Sequence, residues 1–207
     1  MDVSGILYFL TVSMILTLLP GPDIIFVILQ SISNGKKAGI ATALGLCSGI
    51  TVHTLAAALG ISAVLAQSGT AFQLIKYAGA LYLLYLAWQA FREGRSTLAA
   101  QSVPTLTLPA LYKRGILMNV LNPKVSLFFL AFLPQFVSPG SGNAPLQMTF
   151  LGILFMLQAV VLFSIIALFA GSVGRRLFDN PKVARFVNLI KGSVYAFIGI
   201  RLAWPDR

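Results

Sequence analysis

Leu18-Leu19-Pro20-Gly21-Pro22-Asp23 is the stretch that decides the fold. It lies inside a long apolar run, Gly5 to Leu29. A helix that crosses a bilayer takes about 20 apolar residues, so this run is long enough. Two prolines and a glycine near its middle remove helical hydrogen bonds and break or kink it. An acid follows at once. An ionised carboxylate at membrane depth is costly unless it is paired or faces water. A broken helix joined to a buried acid is the pattern of a binding site in transporters built from discontinuous helices. A second stretch, Asn119-Val120-Leu121-Asn122-Pro123-Lys124, repeats the pattern with a charge of opposite sign. The two breaks are expected to face each other.

The rest of the composition fits a membrane setting. Of 207 residues, 57% are hydrophobic and only 10% charged, where soluble domains carry about 25% charged residues. The expectation is an integral membrane protein, a single transmembrane domain over residues 1–207, with no separate soluble domain. The net charge of +10 does not point to nucleic acid, because the basic residues cluster in short loops beside apolar runs and read as topology signals. Cys47 is the only cysteine, which excludes an intrachain disulfide and a cysteine metal site.

Six spans are expected, at about Gly5–Leu29, Ile40–Ala66, Phe72–Phe91, Ile116–Val137, Gln147–Gly171 and Phe186–Trp204. Lys36 and Lys37 follow the first. Arg92, Arg95, Lys113 and Arg114 follow the third, and Arg175, Arg176, Lys182 and Arg185 follow the fifth. The loops after the second and fourth have no Lys or Arg. The positive-inside rule then puts the odd-numbered loops in the cytoplasm and both termini outside.

The chain also repeats itself. Ile75-Lys76 precedes Leu86-Ala87-Trp88, and Ile190-Lys191 precedes Leu202-Ala203-Trp204. Pro22-Asp23 and Pro123-Lys124 occupy matching places in spans one and four. The expected fold is all-α, six transmembrane helices as two inverted three-helix repeats, the first over about residues 1–95 and the second over about 110–207. In such folds the site lies between the repeats near the bilayer midplane.

Helical rise puts Asp23 and Lys124 at one depth, roughly 14–15 Å from the cytoplasmic ends of their runs. Opposite charges at one depth can pair. One reading is a zwitterion site: Lys124 and freed amides take a carboxylate, and Asp23 and freed carbonyls take an ammonium. The other is a permanent ion pair that locks the repeats. Pro20, Gly21, Pro22, Asn119, Asn122 and Pro123 complete the candidate site. The asparagines bond freed backbone groups or a polar substrate. His53, the only histidine, is either a proton relay or a hydrogen-bonded interior residue. Lys76 and Lys191 are expected to snorkel to the interface, with a gate or site contact as the alternative. Gly39, Gly45, Gly49 and Gly60 are placed for close helix packing.

No phosphate-binding lysine loop, no ligand cluster for a catalytic metal and no nucleophile–histidine motif is visible. An enzyme is not expected, nor a cofactor.

Leu19-Pro20-Gly21-Pro22-Asp23, Asn122-Pro123-Lys124, Asn34-Gly35-Lys36-Lys37-Ala38-Gly39 and Lys76-Tyr77-Ala78-Gly79-Ala80-Leu81-Tyr82-Leu83 together resemble the lysine exporter / resistance-to-homoserine-and-threonine (LysE/RhtB) family. The resemblance covers nearly the full length, in the expected order. It implies a bacterial inner-membrane exporter of amino acids or derivatives, driven by the proton gradient. One acid and one base fit a neutral zwitterion such as a homoserine- or threonine-like amino acid better than lysine. Protonation of Asp23 would release Lys124 and bias two access states. The expected partners are therefore the substrate, protons and membrane lipid, and the Gly-rich faces permit a homodimer. The alternatives are a passive channel, a lipid-handling protein or a membrane scaffold.

Overall fold

Buried backbone groups at membrane depth must find partners within the chain, which favours helices throughout. The computed structural model describes residues 3–61, 68–92, 105–137, 143–178 and 181–204, and no strand occurs among them. The helices are α1 (Val3–Leu18), α2 (Pro22–Asn34), α3 (Lys36–Ile61), α4 (Gly69–Arg92), α5 (Leu108–Val120), α6 (Pro123–Phe136), α7 (Ala144–Phe178) and α8 (Pro181–Ala203). The last part of α3, Ala56–Ile61, is π-helical, as is Phe128–Phe132 within α6.

The first and fourth expected spans are each a pair of helices. α1 and α2 meet at 56°, α5 and α6 at 49°. Proline causes both breaks. Pro20 and Pro22 offer no N–H, and Pro22 and Pro123 stand in the first turns of α2 and α6, where a missing donor costs nothing. Between α2 and α3 the chain turns at Gly35, whose φ of 86° is left-handed and favours glycine.

Two helical segments, Lys36–Ile61 and Ala144–Ala170, are long and apolar enough to cross a membrane alone, and each bent pair qualifies as one span. That gives two to four candidate spans among the described residues. α4 and α8, expected as spans three and six, fall short of the same measure. Polar residues interrupt them, with Gln73, Lys76 and Gln89 in α4 and Asn188, Lys191 and Arg201 in α8. The expected end of the second span past Ile61, most of the connection after Arg92 and most of the loop before Ala144 lie outside the described residues.

α3 runs through the centre, against α2, α5 and α7, while α1 and α2 also lie on α7 and α4 packs along α8. Glycine lets α3 and α5 touch backbone to backbone. A Cβ on Gly45 would overlap the Tyr112 carbonyl, and one on Gly115 would meet the Thr42 carbonyl at 2.6 Å. Gly39 and Gly49 are similarly crowded, by Ser31 and Asn119, whereas Gly60 faces open space. Beyond the α5–α6 break lies a cluster of buried rings, Phe9, Phe128, Phe129, Phe132 and Phe155. Large apolar side chains such as Leu59, Leu81 and Phe169 point outward. An apolar exterior around a polar centre is the distribution a bilayer selects.

Candidate functional site

A proline removes the helical donor of the carbonyl four residues before it, and two of the carbonyls freed in this way, those of Leu16 and Asn119, have found new donors. Pro20 cannot bond the Leu16 carbonyl. Lys124 Nζ donates to that oxygen at 3.1 Å and to the Leu19 carbonyl at 3.5 Å. Pro123 cannot bond the Asn119 carbonyl. His53 Nε2 donates to it at 3.0 Å, and Asn122 N at 2.9 Å. A carbonyl only accepts, so the His53 proton on this side is on Nε2. The second break is thus tied to α3, and the first to Lys124 in the first turn of α6.

Asn122 holds the two breaks together. Its Oδ1 accepts from Lys124 N at 3.0 Å and caps α6. Its Nδ2 donates to Asp23 Oδ2 at 2.5 Å. Asp23, Asn119, Asn122 and Lys124 are all buried. Asp23 and Lys124 do converge, as equal depth implied, but they form no direct ion pair. The ammonium binds backbone carbonyls and the carboxylate binds the Asn122 amide. The physical reason is that a proline break creates strong neutral acceptors beside the cation, which compete with the carboxylate.

Two acceptors are left over. Asp23 Oδ1 and Asn119 Oδ1 are buried with no hydrogen-bond partner. Gly21 lies against the ammonium: a Cβ there would sit 3.6 Å from Lys124 Nζ. Two of the three Lys124 N–H groups are engaged by carbonyls. The site therefore offers a cationic donor on Lys124 and an unpaired carboxylate oxygen on Asp23, while Asn119 Oδ1 lies against Gly49 of α3.

A sequence model of the family described as LysE type translocator matches residues 14–205. The chain belongs to that family. It is 33% identical to an uncharacterized membrane protein of Vibrio cholerae, over 98% of each chain. It is 29% identical to the homoserine/homoserine lactone efflux protein of Salmonella typhimurium, over 94% of each chain. It is also 29% identical to the leucine efflux protein of Enterobacter sp., over 91% of this chain and 90% of that one. No solved structure matches. The LysE type translocators are membrane transport proteins, and the helices of this one are apolar.

Lys76 of this LysE type translocator corrects an expectation. It does not snorkel: it is only 1% exposed, and its Nζ donates to the Trp204 carbonyl at 3.1 Å, at the end of α8. The C-terminal carbonyls of a helix attract a cation, and α4 lies along α8 close enough to supply one. Lys191 is half-buried on α8. Lys191 lies near enough to Lys124 for the two positive charges to repel each other.

The sequence reading passed over Thr17 and Gln158. Gln158, on α7, donates from Nε2 to Thr17 Oγ1 at 2.9 Å, and Thr17 donates to the Ser13 carbonyl at 2.9 Å. The signal was present: Gln158 is a strong polar group inside Phe155-Met156-Leu157-Gln158-Ala159-Val160-Val161, within the more apolar of the two long spanning segments among the described residues.

Proposed function

We propose that this LysE type translocator is a secondary active exporter of small neutral amino acids or close derivatives, moving them out of the cytoplasm and coupled to protons. The observation that carries this reading is the buried pairing of opposite chemistry at the two breaks. Lys124 presents an ammonium with one N–H beyond its two carbonyls, and Asp23 presents a carboxylate oxygen without a donor. A zwitterion supplies what each lacks: its carboxylate takes the spare N–H of Lys124, and its ammonium takes Asp23 Oδ1. Relatives whose names specify efflux of homoserine, homoserine lactone and leucine support an amino-acid substrate.

Six spans in two inverted repeats is the architecture we assign. Its support is an exchange in the packing. The middle helix of the first half, α3, lies on the broken pair's first helix in the second half, α5. The middle helix of the second half, α7, lies on the corresponding α1 of the first, and the two last helices, α4 and α8, pair with each other. In a bacterial inner membrane, the Lys and Arg distribution then orients both termini outside. Asp23 is the group we assign to coupling. Its protonation weakens its hold on the Asn122 amide and on the substrate ammonium, which biases release.

Counterflow of labelled amino acids in proteoliposomes tests this. Saturable exchange of a neutral amino acid, lost in Lys124→Ala, is the expected result. No exchange of any amino acid by the wild type would overturn it and turn attention to conduction, lipid handling or a scaffold. Asp23→Asn with full pH-gradient-driven efflux would refute the coupling role alone.

A further inference from the structure

We propose that Arg114 captures the carboxylate of an incoming substrate on the cytoplasmic side, and that its contact with Phe26 closes the way to Asp23 until it does. The proposal rests on the exporter reading above and on its orientation, and adds to them the residues at the cytoplasmic mouth.

The two helices concerned are the cytoplasmic halves of the broken pairs. α2 runs from the first break to the turn before Lys36 and Lys37, and α5 carries Lys113 and Arg114 on its way to the second break. They belong to opposite halves of the chain. Each packs on α3, but they meet one another sparingly. A side-chain contact joins them directly. The Arg114 guanidinium lies over the Phe26 ring, with Cζ 5.1 Å from the ring centroid, within the range of a cation–π interaction.

Phe26 adjoins the site. It is three residues beyond Asp23 on α2, and so on the next turn and the same side of the helix. At about 1.5 Å of rise per residue it stands ~4.5 Å nearer the cytoplasm. A substrate that reaches the Asp23 carboxylate along this side of α2 passes the ring. Asp23 and Lys124 are buried, so in this structure the way is shut. Phe26 is half-buried and Arg114 is exposed. The arginine is thus open to solvent beside a ring that adjoins the buried acid.

A second observation marks the same side of α2. Gln30 follows Asp23 by seven residues and Phe26 by four, which at about 3.6 residues per turn puts all three along one side. Gln30 is fully buried. Its Oε1 accepts from Asn34 Nδ2 at 2.7 Å, and its Nε2 has no acceptor. A buried donor left unpaired is costly. An acceptor that travels along this side, such as a carboxylate, satisfies it. The polar stripe of Asp23, Gln30 and Asn34 therefore continues the site towards the cytoplasmic end of α2, flanked by the Phe26 ring.

Chemistry sets the order of events. A carboxylate outcompetes an aromatic ring for a guanidinium, because it accepts two parallel N–H bonds. The arriving substrate lifts Arg114 from Phe26, and loss of that clasp lets α2 and α5 part. Once the carboxylate has moved on to Lys124, the guanidinium returns to the ring and the site is closed behind the substrate.

The test joins the two positions. Phe26→Cys and Arg114→Cys are combined in a Cys47→Ala chain, reconstituted, and bridged with a short, reducible bis-thiosulfonate. Counterflow of a labelled neutral amino acid is expected to fall at least about tenfold on bridging and to return on reduction, while each single cysteine variant is little affected by the reagent. Equal exchange in the bridged and reduced protein would overturn the gate. Arg114→Gln is expected to raise the KM for uptake into inside-out vesicles about tenfold with Vmax nearly unchanged, and Arg114→Lys to recover part of the loss. An unchanged KM, or an equal rise in right-side-out vesicles, would overturn the capture role and leave a surface contact only. These two variants also serve where the bridge does not form or the doubly substituted chain does not fold. Absence of any exchange by the wild type would instead refute the exporter reading beneath the proposal.

Discussion

Lys124 bonds the one carbonyl of Leu16 that Pro20 leaves without a helical donor. Cation and proline are thus a matched pair from opposite halves of the chain. Proline in a helix interior costs about 3 kcal/mol relative to alanine, so keeping it here trades local stability for an exposed acceptor. Pro20→Ala restores an N–H that competes with Lys124 for that carbonyl. The expected outcome is an unchanged or higher thermal midpoint in detergent, with counterflow reduced about tenfold or more. Unchanged exchange would mean that the Leu16–Lys124 bond does not organise the site.

Exchanging the charges, Asp23→Lys with Lys124→Asp, tests whether the two residues form a simple ion pair. A simple pair would survive the swap. Here an aspartate at 124 would face the Leu16 and Leu19 carbonyls, acceptor against acceptor, and a lysine at 23 would face the donating amide of Asn122. Exchange is expected to be abolished, and folding yield to fall, as fluorescence size-exclusion profiles would record. Full activity in the swapped chain would restore the ion-pair view.

His53 separates a structural donor from a proton relay. Glutamine can supply an N–H to the Asn119 carbonyl, and leucine cannot. His53→Gln is expected to retain most counterflow and its dependence on a pH gradient. His53→Leu leaves a buried carbonyl with one donor fewer and is expected to lose about 1–3 kcal/mol of stability. A His53→Gln protein that still exchanges substrate but no longer responds to the gradient would make the imidazole a relay.

The contact between α3 and α5 is backbone on backbone, so it tolerates no side chain. Gly45→Ala would press a methyl into the Tyr112 carbonyl and is expected to cost about 1–3 kcal/mol. Gly60→Ala meets nothing within 4 Å and is expected to be neutral or slightly stabilising, since alanine gains up to about 1 kcal/mol over glycine in a helix. Thermal unfolding of the two variants side by side checks the contrast. Equal midpoints would remove the packing role of Gly45.

Both breaks could be read in the chain because Pro20, Pro22 and Pro123 interrupt apolar runs, where no other role for them is plausible. The burial of Asp23 and Lys124 followed from the same runs. Their partners did not. Counting residues gives height along a helix but not the direction a side chain faces, so Asn122 as the clasp between Asp23 and α6 was out of reach. Lys76 was misread because a lysine near the start of a helix looks free to reach the interface. Its acceptor, the Trp204 carbonyl, is far away in sequence and arrives only when α4 and α8 pack. Gln158 was findable from its isolation among apolar neighbours, but its link to Thr17 required α7 to be laid on α1. The π-helical turns of α3 and α6 left no visible mark in residue type.

Cys47 lies buried on α3, less than two turns before His53, and is the only thiol in the chain. The wild-type molecule therefore carries a native chemical reporter within the helix that braces the second break. Its rate of alkylation, followed with and without substrate, registers how often α3 opens to the surroundings. A clock of this kind usually has to be engineered into a cysteine-free background; here it can be read in the unaltered sequence.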